Sequence, residues 1–141
     1  MPWELLDHQA DVGLQSTGKT LDDALADGVR GLLALMVDPQ TVHPRDTIEI
    51  EASGTDPGSL YVDLLNAVLA AKDIHAMFFH DVAVDSLSRE RNEWHLTCRL
   101  TGERIDLARH DVESDVKAAT YGGLRARQDE HGWLLRCVLD L

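Results

Sequence analysis

The chain has 141 residues, 15.6 kDa and an apolar fraction of 44%, enough for one domain with a real core and too hydrophobic for disorder. Its formal charge of −12 opposes direct binding to nucleic acid, which relies on Lys and Arg to neutralise phosphates. It favours solubility, metal cations, or a partner with a basic surface. No run approaches the roughly 18 apolar residues of a membrane span. The opening "MPWELLDHQ" lacks the basic flank and apolar stretch of a signal peptide, so a cytoplasmic protein is expected.

"DHQADVG", Asp7 to Gly13, places two aspartates and a histidine within five positions. If "ADVGLQS" is a strand, Val12 and Leu14 point inward while Asp11, Gly13 and Gln15 point outward. "TLDDALADGVRGLLALM" is the first predicted helix. Leu21, Leu25, Gly28, Val29, Leu32 and Met36 form one apolar stripe, Thr20 is a cap, and Asp22 and Asp23 suit the positive end of the helix dipole. Asp38-Pro39 ends it.

"TIEIEA" alternates Ile48, Ile50 and Ala52 against Glu49 and Glu51, a half-buried strand. The second helix lies in "DPGSLYVDLLNAVLAAKD", with Asp56 as cap, Pro57 in the first turn, and a stripe of Leu60, Leu64, Leu65, Val68 and Leu69. "HDVAVDSL" and "NEWHLTCRL" read as a hairpin around "SRERN". In its second strand Trp94, Leu96, Cys98 and Leu100 share a face.

"DVKAATYGGLRARQ" and "GWLLRCVLDL" pair through "DEHG", and Gly122-Gly123 marks a bulge or turn within a strand. Trp133, Leu135, Cys137, Leu139 and Leu141 have one parity on the last strand, Arg136 and Asp140 the other. Cys98 and Cys137 lie in apolar-alternating runs and read as buried free thiols. The fold class predicted is α+β: a single domain over residues 1–141, with a mixed, largely antiparallel sheet and two main helices packed on one face.

Asp11, Asp140 and Lys117 all fall on outward parities, which solvation alone would also give. If they converge, oxygen donors without a Cys/His quartet suit Ca²⁺, Mg²⁺ or Mn²⁺. The seven histidines carry no zinc signature. His75, His80, His95 and His131 read as surface or loop positions. His8, beside the carboxylates, is a ligand, a proton carrier or a structural hydrogen-bonding group. There is no phosphate loop and no GxSxG. In "RHDVESDVKAATY" the polar residues His110, Lys117, Thr120 and Tyr121 cluster where a loop runs into a strand, and the plain alternative is a polar loop feeding a half-buried strand.

Together "DHQADVG", "TGERIDLARHDVESDVKAATYGGL" and "VLDL", in this order with "TLDDALADG" and "LLNAVL", resemble the archease family over essentially the whole chain. The resemblance implies a small, chaperone-like α+β protein that assists an RtcB-type RNA ligase. That enzyme uses GTP and a divalent metal to join RNA ends in tRNA splicing and RNA repair. The family promotes guanylylation and multiple turnover of the ligase and performs no covalent step of its own, so no enzyme, no direct nucleic-acid contact and no membrane are expected.

Carried over by motif, the metal-binding residues are Asp11, Asp140 and Leu141, the last contributing an oxygen, and the functional lysine is Lys117. The metal is Ca, Mn or Mg, and GTP belongs to the partner. Two positions depart from the family pattern: Gln9, where threonine is usual, and Gly122, where histidine is common. The resemblance leaves Asp7 and His8 without a role. A rival reading from another class is a small metal-dependent phosphoester hydrolase using the same carboxylates, with Lys117 or His8 as acid or base. A third is an assembly module with solvated carboxylates.

Overall fold

Both helices form where the sequence supplies caps and stripes. The structure, a computed structural model, describes residues 3–7 and 11–141. A short strand, β1 (Glu4–Asp7), precedes β2 (Asp11–Gly18). Helix α1 (Leu21–Met36) starts at Thr20, whose hydroxyl accepts from the Asp23 N–H at 3.2 Å, and its expected stripe is buried throughout. It stops two residues before Asp38, because Val37 is already extended and bridges to Val112. A 3-10 turn (Pro39–Thr41) leads into β3 (Asp46–Gly54).

Helix α2 (Pro57–His75) opens on a full capping box. The Asp56 carboxylate accepts from the Ser59 N–H at 2.8 Å, and the Ser59 hydroxyl accepts from the Asp56 N–H at 3.2 Å. Strands β4 (Met77–Glu90) and β5 (Glu93–Arg104) form the expected hairpin. A long connection then reaches β6 (Ala118–Asp129) and β7 (Gly132–Asp140).

The α+β class stands, and the strands divide into two wholly antiparallel sheets instead of one mixed sheet. Their orders are β1-β2-β7-β6 and β3-β5-β4. Each helix reaches both sheets: α1 packs on β2, β7 and β4, and α2 on β3 and β6. Leu14, Leu135 and Cys137 of one sheet meet Leu96, Cys98 and Leu100 of the other through Leu25, Val29, Leu65 and Val68 of the helices. Burying one such leucine contributes about 2 kcal/mol. An exposed ion pair such as Arg99–Asp85 contributes about 1 kcal/mol or less, so the shared apolar cluster joins the sheets.

Between β6 and β7 the register jumps from Thr120↔Val138 to Arg125↔Arg136, which places the anticipated bulge at residues 121–124. Gly123 takes φ +60 there, a backbone conformation costly for a residue with a Cβ. The four-stranded sheet turns Leu14, Leu135, Cys137 and Leu139 toward the helices. By alternation its other face carries Asp11, Gln15, Arg136 and Asp140.

Candidate functional site

Strand pairing within one sheet brings Asp11 and Asp140 together and sets the backbone of Lys117 beside Asp140, while Ala118, expected on the inward parity, shares the face of Asp140. Asp11, the first residue of β2, lies directly opposite Asp140, the last residue of β7. Asp140 lies in turn opposite Ala118, which opens β6. One residue earlier, the Lys117 N–H donates to the Asp140 carbonyl at 2.8 Å. Directly opposed residues of an antiparallel pair share a face, with Cβ atoms about 5 Å apart. The two carboxylates are therefore neighbours, although 129 positions separate them in the chain. Asp11 is half-buried, while Asp140, Lys117 and Leu141 are exposed.

Two opposed carboxylates repel unless a cation or a hydrogen-bond donor lies between them. Hard oxygen donors on one face are the ligand type that suits Ca²⁺, Mg²⁺ or Mn²⁺. Among the described residues no group of three or more His, Cys, Asp or Glu side chains is placed to hold a metal ion. A cation held by this pair would take its remaining oxygens from the main chain, from Leu141, from water or from a partner. His8 and Gln9 lie outside the described residues, as does the side chain of Asp7.

The lysine is positioned from two directions. Asn66 of α2 donates through Nδ2 to the Ala119 carbonyl at 3.0 Å and accepts from the Ala119 N–H at 2.8 Å. Strand β6 is an edge of its sheet, and this amide takes the place of a further strand at Ala119. Upstream, the connection is tied to the end of α1: the Glu113 N–H donates to the Met36 carbonyl at 2.9 Å, and that of Ser114 to Leu35 at 3.1 Å. Asn66 was not singled out from the sequence, although an amide amid the apolar residues of "LLNAVL" was a usable signal.

The polar residues grouped in "RHDVESDVKAATY" divide into different roles. His110 is buried, accepts from the Asp106 N–H at Nδ1 (2.9 Å), and therefore donates from Nε2 to Glu103 at 3.0 Å. Glu103, also buried, takes Arg109 at 2.6 Å, Arg45 at 3.3 Å and the His43 N–H at 2.6 Å. The Arg109 hydrogen bond above all, with those of His43 and His110, holds the Glu103 carboxyl well below the usual carboxylate range despite its burial. This network fastens the connection between β5 and β6. Thr120 donates to the Val138 carbonyl at 2.9 Å, and Tyr121 is exposed on the bulge.

The surface reading of His75, His80, His95 and His131 agrees with their exposure. Cys98 and Cys137 are free and buried. No helix among the described residues is long and apolar enough to cross a membrane.

The fold recurs in known proteins. Residues 3–141 match the Archease protein family (MTH1598/TM1083). The protein archease of Methanopyrus kandleri is 33% identical over 141 residues, covering 100% of both chains. That of Thermococcus gammatolerans is 33% identical over 140 residues, covering 99% of this chain and 98% of its own. The solution structure of Methanobacterium thermoautotrophicum protein 1598 superposes with a TM-score of 0.84 at 24% identity, covering 99% of each chain. The crystal structure of a Thermotoga maritima protein, described as an archease and possible chaperone, gives 0.53 at 20% identity, covering 98% and 96%. The chain belongs to the archease family.

Proposed function

We propose that this chain is a cytoplasmic accessory factor for an RtcB-type GTP-dependent RNA ligase of tRNA splicing and RNA repair. It promotes guanylylation and repeated turnover of that enzyme without a covalent step of its own. The observation that carries the reading is the opposition of Asp11 and Asp140 across β2 and β7, with Lys117 fixed to the same end of β7. Family membership supports it.

Asp11, Asp140 and an oxygen of Leu141 hold a divalent cation, Ca²⁺, Mn²⁺ or Mg²⁺, which relieves the carboxylate repulsion and presents a positive centre to the partner. Lys117 contributes a compact ammonium that can contact a phosphate or an acidic group where the two proteins meet. GTP is bound by the ligase. The acidic balance of −12 suits a protein partner better than bare RNA.

The test adds this protein to the ligase of the same organism at substoichiometric enzyme, with GTP and RNA ends, and follows both guanylylated ligase and joined product. Stimulation of both, together with no hydrolysis of phosphoesters by the isolated protein, is the expected result. Phosphoester cleavage by the protein alone would replace this reading with the hydrolase. Absence of any effect on the ligase would leave an assembly module.

A further inference from the structure

The uncovered face of the four-stranded sheet carries a second feature, away from the carboxylate pair. Arg125 of β6 lies directly opposite Arg136 of β7, so two guanidinium side chains share one face as cross-strand neighbours. Arg127, two residues on, has the same parity as Arg125. Like charges placed this way destabilise a sheet.

Among the described residues four other arginines are paired with carboxylates, Arg89 lies over the Trp94 ring, and Arg91 and Arg104 are unpaired without a second arginine opposite them. Arg30 pairs with Asp81, Arg99 with Asp85, and both Arg45 and Arg109 with Glu103. Among the described residues the side chains of Arg125, Arg127 and Arg136 have no ion pair or hydrogen bond, although the chain carries 25 acidic residues. The Nε of Arg136 is moreover shut off from solvent with no acceptor. The nearest acidic group in register, Glu4, is one strand further away and is engaged by Gln15, which donates to it at 3.1 Å. Beside Arg127 the surface forms a depression of about 300 Å³, lined also by Thr17, Asp129, His131, Trp133 and Leu134. Asp129 is turned to the His131 N–H at 2.7 Å.

We infer that Arg125, Arg127 and Arg136 form a binding site for a phosphate group on the uncovered face of the sheet. A phosphate near neutral pH carries close to two negative charges, which matches the opposed arginines, whereas one carboxylate supplies half of that. The depression beside Arg127 has room for a small organic group esterified to that phosphate. Arg136 is four residues from Asp140 along β7, about 13 Å, so the phosphate site and the carboxylate pair are separate.

The experiment follows the arginine Nε–Hε and Trp133 indole signals of the full chain by nuclear magnetic resonance. Inorganic phosphate, phenyl phosphate, a glutamate-rich peptide and sodium chloride of equal ionic strength are titrated separately. Saturable shifts at Arg125 and Arg136 with inorganic phosphate, at least tenfold weaker in Arg125→Gln and in Arg136→Gln, are expected. Arg125 is exposed and its charge opposes that of Arg136, so its variant should melt at or slightly above the parent and keep the test interpretable. Tighter binding of phenyl phosphate with a shift at Trp133 would identify an ester as the ligand, and equal binding without it a free phosphate. Shifts matched by sodium chloride, shifts unchanged in both variants, or a response to the peptide alone would overturn the site.

Discussion

Asn66 and Ala119 exchange two hydrogen bonds, 3.0 and 2.8 Å, between the side of α2 and the free edge of β6. The pair fixes β6 at its second residue, two positions after Lys117. Asn66→Ala leaves a partly buried N–H and carbonyl without partners, and should cost about 2 kcal/mol in chemical denaturation. Hydrogen exchange should quicken at Ala119 and Lys117 more than at β3. A loss below about 0.5 kcal/mol, the range of an ordinary surface substitution, would mean that water replaces the amide without consequence.

The opposed carboxylates lead to an unusual pairing of effects. Asp140→Asn removes a like-charge neighbour of Asp11, so the melting temperature in the presence of a chelator should stay level or rise, by no more than about 1 kcal/mol equivalent. Stimulation of the ligase should nevertheless be lost, and calorimetric titration with Ca²⁺ or Mn²⁺ should show at least tenfold weaker binding. Asp11→Asn should lose stimulation as well. A clear fall in the stability of Asp140→Asn would assign that residue to the scaffold.

Lys117 separates metal binding from partner activation. An ammonium does not ligate a cation and repels it, so Lys117→Ala should keep or slightly raise metal affinity while guanylylation of the ligase falls at least tenfold. Lys117→Arg should recover little, because a planar guanidinium replaces a compact, strongly hydrated ammonium. Full stimulation by Lys117→Ala would leave the aspartates as the whole device.

Glu103 sets the acid limb of stability. Its folded carboxyl titrates well below an unfolded glutamate, held down first by Arg109. Its contribution is therefore complete above the unfolded value, near pH 4.3, and declines as the pH falls toward the folded value. Glu103→Gln should lower the melting temperature at pH 7 and flatten its dependence between about pH 5 and 3. Parallel pH profiles for parent and variant would assign the acid limb to other carboxylates.

Burial pushes the Cys98 thiol up to about 11 and the Cys137 thiol up to about 12. At pH 8 the thiolate is about a thousandth of the total or less, and the sulfurs are covered. Neither should react with a disulfide reagent until denaturant is added. Rapid labelling of the native protein would place one of them outside the core.

What the sequence made legible was local. Thr20 and Asp56 act within three residues of themselves, and the period of Leu21, Leu25 and Leu32 is a property of one helix, so both helices could be read directly. The meeting of Asp11 and Asp140 depends on how two distant strands pair, and no spacing in the chain records that. Only the resemblance of the flanking motifs indicated it. Strand β1 escaped notice because four residues show too little alternation. The division into two sheets depends on α1 and α2 each reaching both, a long-range packing choice. Glu103 could not be singled out, because Arg109 and His110 reach it from an irregular connection with no periodicity and His43 from 60 positions away.

The bulge in β6 has a consequence for how this chain tolerates insertions and deletions. From Thr120 to Arg125 is five steps, while their partners Val138 and Arg136 are two apart, so β6 carries three surplus residues. An odd surplus reverses the alternation of side chains: Thr120 faces outward on an even number, and Arg125 and Arg127 on odd ones. Beyond the bulge the face is set by pairing and not by count, because whichever residue lies opposite Arg136 shares its face. Losing one residue at 121–123 would leave an even surplus, and plain alternation from Thr120 would still bring Arg125 and Arg127 outward. Length variation at this point should therefore be absorbed within the bulge, with Leu124 and Ala126 kept on the side of the helices for as long as the ladder to β7 holds.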